Sequence, residues 1–253
     1  MNCPIFVLVR TESKRLRRKA LKKIQQKYLI QILLERLNKM GNELIVCTTN
    51  LASDNKLVNF LESNNYEVFR GDGSNILLRL YSCAEFFQKK EFLVVEADDI
   101  FCDTKLIDIT CKKIKEKQNE LIIWEDVPFG SSPTGVKLNK LEKIININKN
   151  HDVETGWISF LINSEKFNIL KLKPREKSLH RPEIRLSIDY KEDLILAEKI
   201  LKSIPDKISL KNIIHLLDKN PNWLKNNKDV MNKYKENFLE ETTKIRKEKK
   251  SHK

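Results

Sequence analysis

Near its start the chain reads Ile5-Phe6-Val7-Leu8-Val9-Arg10-Thr11-Glu12-Ser13-Lys14-Arg15-Leu16-Arg17-Arg18-Lys19-Ala20-Leu21, an apolar run that breaks abruptly into a basic one. Five consecutive apolar residues fit a strand buried on both faces, as in the centre of a parallel sheet covered by helices. A loop leaving such a strand emerges at the carboxyl edge, where open α/β sheets bind ligands. Five Lys or Arg side chains fall between 14 and 19, and they repel one another unless water or an anion separates them. Charge runs are most often solvated faces; a polyphosphate is the ligand that would suit this one.

Downstream, apolar residues at 29, 30, 33, 34 and 37 make a helical stripe with Gly41 as its stop. Short apolar runs at 44–47, 66–69 and 92–97 predict three more strands, with Asp54 capping one intervening helix and another helix ending near 87. Strands alternating with helices at this spacing imply parallel βαβ units, hence an α/β, Rossmann-like three-layer sandwich with a mostly parallel central sheet. The rhythm changes at 121. A strand at 121–124, a loop at 127–135, a hairpin at 136–147 and a helix at 154–167 are predicted, and a strand at 184–188 should return the chain to the sheet. Helices at 191–202 and 209–218 follow. From 228 the chain is polar and charged and reads as a helix fraying into disorder, so the domain is drawn over 1–227 and the tail over 228–253.

The length of 253 residues suits one large domain, and 40% hydrophobic with 33% charged residues is ordinary for a soluble globular chain. No apolar run approaches the roughly 20 residues of a membrane span, and no charged segment precedes an apolar core at the start, so a cytoplasmic protein without a membrane partner is expected. Five cysteines without C-x-x-C spacing indicate reduced, mostly buried thiols rather than a disulfide framework or a zinc site. The net charge of +13 lies almost wholly at the two ends: residues 1–27 hold nine Lys or Arg against one Glu, and 228–253 hold nine against five acids. A near-neutral body offers no basic track for a nucleic acid, and none is expected as a partner.

Two further stretches carry chemistry. Glu96-Ala97-Asp98-Asp99 stands at the carboxyl end of the 92–97 strand, where a carboxylate can bind magnesium, although such a cluster also suits a helix cap. Arg185-Leu186-Ser187-Ile188-Asp189-Tyr190-Lys191-Glu192-Asp193-Leu194 ends a strand on Asp189 and loads the first turn of a helix with acids. His180 and His215 are lone histidines, more often structural than catalytic.

Arg10, Ser13, Arg15, Leu16, Lys19 and Leu21 resemble R-x-x-S-x-R-L-P-G-K-x-L, the opening signature of the sugar-activating cytidylyltransferases of the spore-coat polysaccharide F-like branch, beside the CMP-sugar-acid synthetases. Residues 97–108 are similar to that family's G-D-C-P-L-I-D-P-x-x-I-D, residues 185–194 to R-L-T-V-D-x-x-E-D-L, and Arg70, Gly71 and Arg79 to R-G-x-x-x-D-V-L-x-R. His151, Val153 and Thr155 resemble its H-V-T motif, and the likeness covers about 4–227. Arg17-Arg18 replaces Pro-Gly, Asp99 a cysteine, Ile100 a proline and Asn75 an aspartate.

The resemblance implies a nucleotide-diphospho-sugar transferase type of fold, often paired as a homodimer, and a cytidylyltransferase that moves CMP from CTP to a small anionic acceptor in capsule or surface polysaccharide biosynthesis. It implies Arg15 and Lys19 as catalytic. Arg10, Ser13, Arg15, Lys19, Thr48, Arg70, Gly71 and Arg79 would bind nucleotide, Asp98 and Asp189 would bind magnesium, and His151, Thr155 and Arg185 would bind the acceptor. A sugar acid and a phosphorylated small molecule such as L-glutamine phosphate stand level as acceptors. A glycosyltransferase using a nucleotide sugar, or a polyanion-binding protein, is the alternative reading.

Overall fold

The computed structural model describes residues 3–13, 15–147, 156–164, 166–205, 208–225 and 229–234. In chain order these form β1 (Ile5–Leu8), a small antiparallel ribbon of β2 (Lys23–Ile24) and β3 (Lys27–Tyr28), α1 (Leu29–Asn38), β4 (Leu44–Thr49), α2 (Asn55–Ser63), β5 (Glu67–Gly71), α3 (Ile76–Phe86), β6 (Glu91–Glu96) and α4 (Thr104–Ile114). Then come β7 (Leu121–Trp124), β8 (Thr134–Lys137), α5 (Leu138–Ile147), α6 (Trp157–Asn163), β9 (Ile169–Leu172), α7 (Lys191–Ser203) and α8 (Leu210–Lys219).

Seven strands make one sheet in the order β5-β4-β1-β6-β8-β7-β9, with β8 antiparallel to both neighbours and the other pairs parallel. The apolar run of β1 makes it a central strand. Ile5 and Val7 pack into the core under α1, α2, α4, α7 and α8, while Phe6 and Leu8 pack into the core under α3, α5 and α6. The period-two alternation of a strand thus serves two helical layers at once. The five cysteines are free and buried, as their spacing suggests. No helix among the described residues is long and apolar enough to cross a membrane.

Three expectations are corrected. The predicted hairpin at 136–147 is the end of β8 running straight into α5, because Leu141 and Ile144 recur at helical spacing and both are buried. The 184–188 run does not rejoin the sheet. It is buried and extended but makes only one bridge, Arg185 to Phe129, and the sheet edge is taken by β9. Asp54 sits at the start of α2 without capping it. Its buried carboxylate instead accepts from Thr11 N–H at 2.7 Å, from Thr48 Oγ1 at 2.8 Å, from Thr49 N–H at 3.1 Å and from the Thr11 and Thr49 hydroxyls. Beyond the predicted boundary at 227, residues 229–234 are helical, with Val230 and Met231 buried.

Candidate active site

Backbone bonds running past the strand ends decide where the functional side chains emerge. Val9 N–H donates to the Cys47 carbonyl at 3.1 Å and Ala97 N–H to the Leu8 carbonyl at 3.0 Å, so Arg10 and Asp98 leave the sheet side by side. The strand order turns here: β1, β4 and β5 run one way and β6 lies on the other side, which opens a crevice at the carboxyl edge. A cavity of about 970 Å³ fills that crevice, lined by Arg10, Ser13, Arg15 and Lys19 from the basic loop, by Glu96, Asp98 and Asp99 from the end of β6, and by Asp189. Asp189 is brought to Asp98 by a main-chain contact, Ile188 N–H to the Asp98 carbonyl at 3.0 Å. The segment ahead of it is fastened to Phe129 by bonds of 2.9 and 2.7 Å.

The charges interlock. Lys19 Nζ donates to Asp98 Oδ2 and, at 2.8 Å, to Asp189 Oδ1, which also accepts from Arg15 Nη2 at 2.8 Å. The other oxygen of Asp189 accepts from Arg185 Nη2 at 2.6 Å, and Arg185 Nε donates to Asp193 Oδ1 at 3.1 Å. Asp193 in turn accepts the N–H groups of Asp189 and Tyr190 at 2.9 and 3.0 Å, so it fixes the turn that carries Asp189 into α7. Burial works against the charge on Lys19, but Asp98 and Asp189 outweigh it and raise the ammonium above its usual value. Burial likewise opposes ionisation of Asp189, yet Lys19 and Arg15 hold it far below the carboxylate range. Glu96 makes no ion pair among the described residues. Burial and the Asp98 carboxylate push it up to about 7, and Trp157 Nε1 donates to its Oε1 at 3.0 Å.

The expected residues separate into groups. Arg10, Ser13, Arg15, Lys19, Arg79, Asp98 and Asp189 share the cavity. Arg79 is nevertheless buried and turned to its own chain, with Nε donating to the Asp72 carbonyl at 2.7 Å. Thr48, Arg70 and Gly71 are away from the cavity wall. Thr48 is bound to Asp54, Arg70 donates to the carbonyls of Thr49 and Leu51 at 3.1 and 2.8 Å, and a Cβ on Gly71 would stand 2.8 Å from Arg79 Cγ. Arg185 is wholly buried, bound to Asp189, and does not line the cavity. His151 and Thr155 lie outside the described residues. Residues that motif matching passed over also line the space, notably Phe129, Gly130, Trp157 and Tyr234. Gly130, at φ +83, is required by closeness as well: a Cβ there would come within 2.5 Å of Ser187 N and 2.8 Å of Asp99 Oδ1.

Two carboxylate oxygens converging on a single ammonium suit a hard divalent cation equally well, so the donor set of Asp98 and Asp189 fits magnesium. No group of three or more His, Cys, Asp or Glu side chains forms a ready-made cage among the described residues. Phosphate oxygens and water would have to complete the shell, which is the usual habit of magnesium.

A cationic loop and paired acids at the switch point of a parallel sheet are suited to holding the phosphates of a nucleotide. The family model for cytidylyltransferases matches residues 5–245, and the chain belongs to that family, as a CTP-using nucleotidyltransferase. It is 30% identical over 232 residues to the uncharacterized protein MJ1063 of Methanocaldococcus jannaschii, covering 90% of this chain and 95% of that one. Among solved structures it is similar to a cytidylyltransferase from Leptospira borgpetersenii serovar Hardjo-bovis, with a TM-score of 0.76, 21% identity and coverage of 89% and 98% of the two chains. It also resembles CMP:2-keto-3-deoxy-manno-octonic acid synthetase complexed with CTP, at a TM-score of 0.63, 12% identity and coverage of 80% and 99%.

Proposed function

We propose that the protein transfers CMP from CTP to a small anionic acceptor and releases pyrophosphate. The observation that carries this reading is the Lys19 ammonium, gripped at once by Asp98 and Asp189 at the mouth of a cationic loop. An acceptor oxygen attacks the α-phosphorus, the bond from that phosphorus to the bridging oxygen breaks, and pyrophosphate leaves with the electron pair; a hydroxyl acceptor gives its proton to solvent, whereas a phosphate oxygen has none to lose. Arg10, Arg15 and Lys19 would hold the phosphates; fixed cations in a site sheltered from water lower the cost of charge gathering on the leaving group. Asp98 and Asp189 favour the ammonium form of Lys19, which would act as a hydrogen-bond donor and fixed charge rather than a base. Magnesium held by Asp98 and Asp189 would supply a Lewis acid toward the phosphate oxygens.

The acceptor is a sugar acid or a phosphorylated small molecule such as L-glutamine phosphate, and its product would feed capsule or surface polysaccharide synthesis. The test is pyrophosphate release with magnesium across four nucleoside triphosphates and a panel of sugar acids, sugar phosphates and amino-acid phosphates. A signal confined to CTP and one acceptor supports the proposal. Turnover of a supplied nucleotide sugar, with no pyrophosphate from CTP, would replace it with glycosyl transfer.

A further inference from the structure

The helical residues 229–234 bring Met231 and Tyr234 to the cavity wall beside the basic loop. The ring of Tyr234 lies 4.6 Å from Arg185 Cζ and 5.6 Å from Arg15 Cζ, and its centroid is 5.0 Å from that of Phe129. Phe129 covers Arg185 from another side at 5.0 Å. Among the described residues two buried side-chain polar atoms have no hydrogen-bond partner, Arg15 Nε and Arg185 Nη1, and both belong to guanidiniums against this ring. A buried N–H without an acceptor is costly unless something else compensates the charge. The negative face of an aromatic ring does so. Both guanidiniums grip Asp189, one through each oxygen.

We infer that Tyr234 is a positioning residue of this site: its ring fixes Arg15 and Arg185, and through them the carboxylate of Asp189 and the loop that receives the nucleotide phosphates. The inference rests on the nucleotidyltransferase reading and adds to it that residues 229–234 are part of the site. The face of the ring makes the contact with both guanidiniums, and phenylalanine keeps that face.

The test uses the full chain and the variants Tyr234→Phe and Tyr234→Leu, with CTP and magnesium as the probe in calorimetric titration, and far-UV circular dichroism and Tm measured alongside. Leu keeps apolar bulk but has no π face. Tyr234→Phe should bind CTP as wild type does, and Tyr234→Leu should bind about tenfold more weakly at an unchanged Tm, in line with the strength of partly buried cation–π contacts. Equal affinity of the Leu variant and wild type overturns the inference alone. Loss in the Phe variant equal to that in the Leu variant also overturns it, since the hydroxyl would then be the working group. Failure of the wild type to bind CTP overturns the nucleotidyltransferase reading, and the inference falls with it.

Discussion

At the scale of single residues, the site is a chain of charges in which each member holds the next, and removing one leaves its partner exposed to burial without compensation. Lys19→Met or Asp189→Asn should lower the rate of pyrophosphate release by about 100-fold or more while the far-UV spectrum is kept, as expected when one preorganised electrostatic partner is lost. Near-wild-type turnover of Asp189→Asn would remove that carboxylate from the mechanism. Asp54 offers a separate test, of stability. Burial disfavours its charged form, but the hydrogen bonds from Thr11, Thr49 and Thr48 prevail and hold it below the ordinary Asp value. The unfolded chain therefore binds the proton more readily, and the stability that Asp54 contributes is present above the unfolded value and lost as pH falls through the folded one. Asp54→Asn should lower stability by about 2–4 kcal/mol in urea titration at pH 7, and its deficit should shrink as wild type is acidified below about pH 4.

At the scale of elements, the loops between regular structure are what bring the chemistry together. Gly130 lets the 126–133 loop touch Ser187, so Gly130→Ala should force the Asp189 segment away and lower both Tm and turnover; the backbone clash and the positive φ together suggest a cost of about 2–4 kcal/mol. Much of the architecture was legible beforehand, because fully apolar runs such as 5–9 and helical stripes such as 29–37 state their own periods. The α5 segment departs from the predicted hairpin because Leu141 and Ile144 follow a helical spacing, and β9 is hard to read because an edge strand with partly exposed residues carries a weak pattern. The acids and cations of the site were legible from motifs. The depth of Arg185, the service of Asp54 to the loop rather than to its helix, and the approach of Tyr234 from far along the chain are tertiary facts that local spacing does not encode.

At the scale of the molecule, one sheet with a core on each face and the cavity's charged side chains at one edge should respond to nucleotide as a unit. CTP with magnesium at about one hundred times its Kd should add about 2.7 kcal/mol and raise Tm by roughly 5–10 °C, read by scanning calorimetry. GTP at the same concentration should leave Tm where it was. The cysteines add a consequence of a different kind. They are distributed from Cys3 beside β1 to Cys111 in α4, all are buried, and burial pushes the thiols of Cys3 and Cys102 upward, away from the reactive thiolate. Alkylating reagents and peroxide should consequently find no ready target while the chain is folded. Labelling would then proceed only as fast as the protein opens, and the order in which the five sites acquire label would trace which parts of the sheet and helices come apart first.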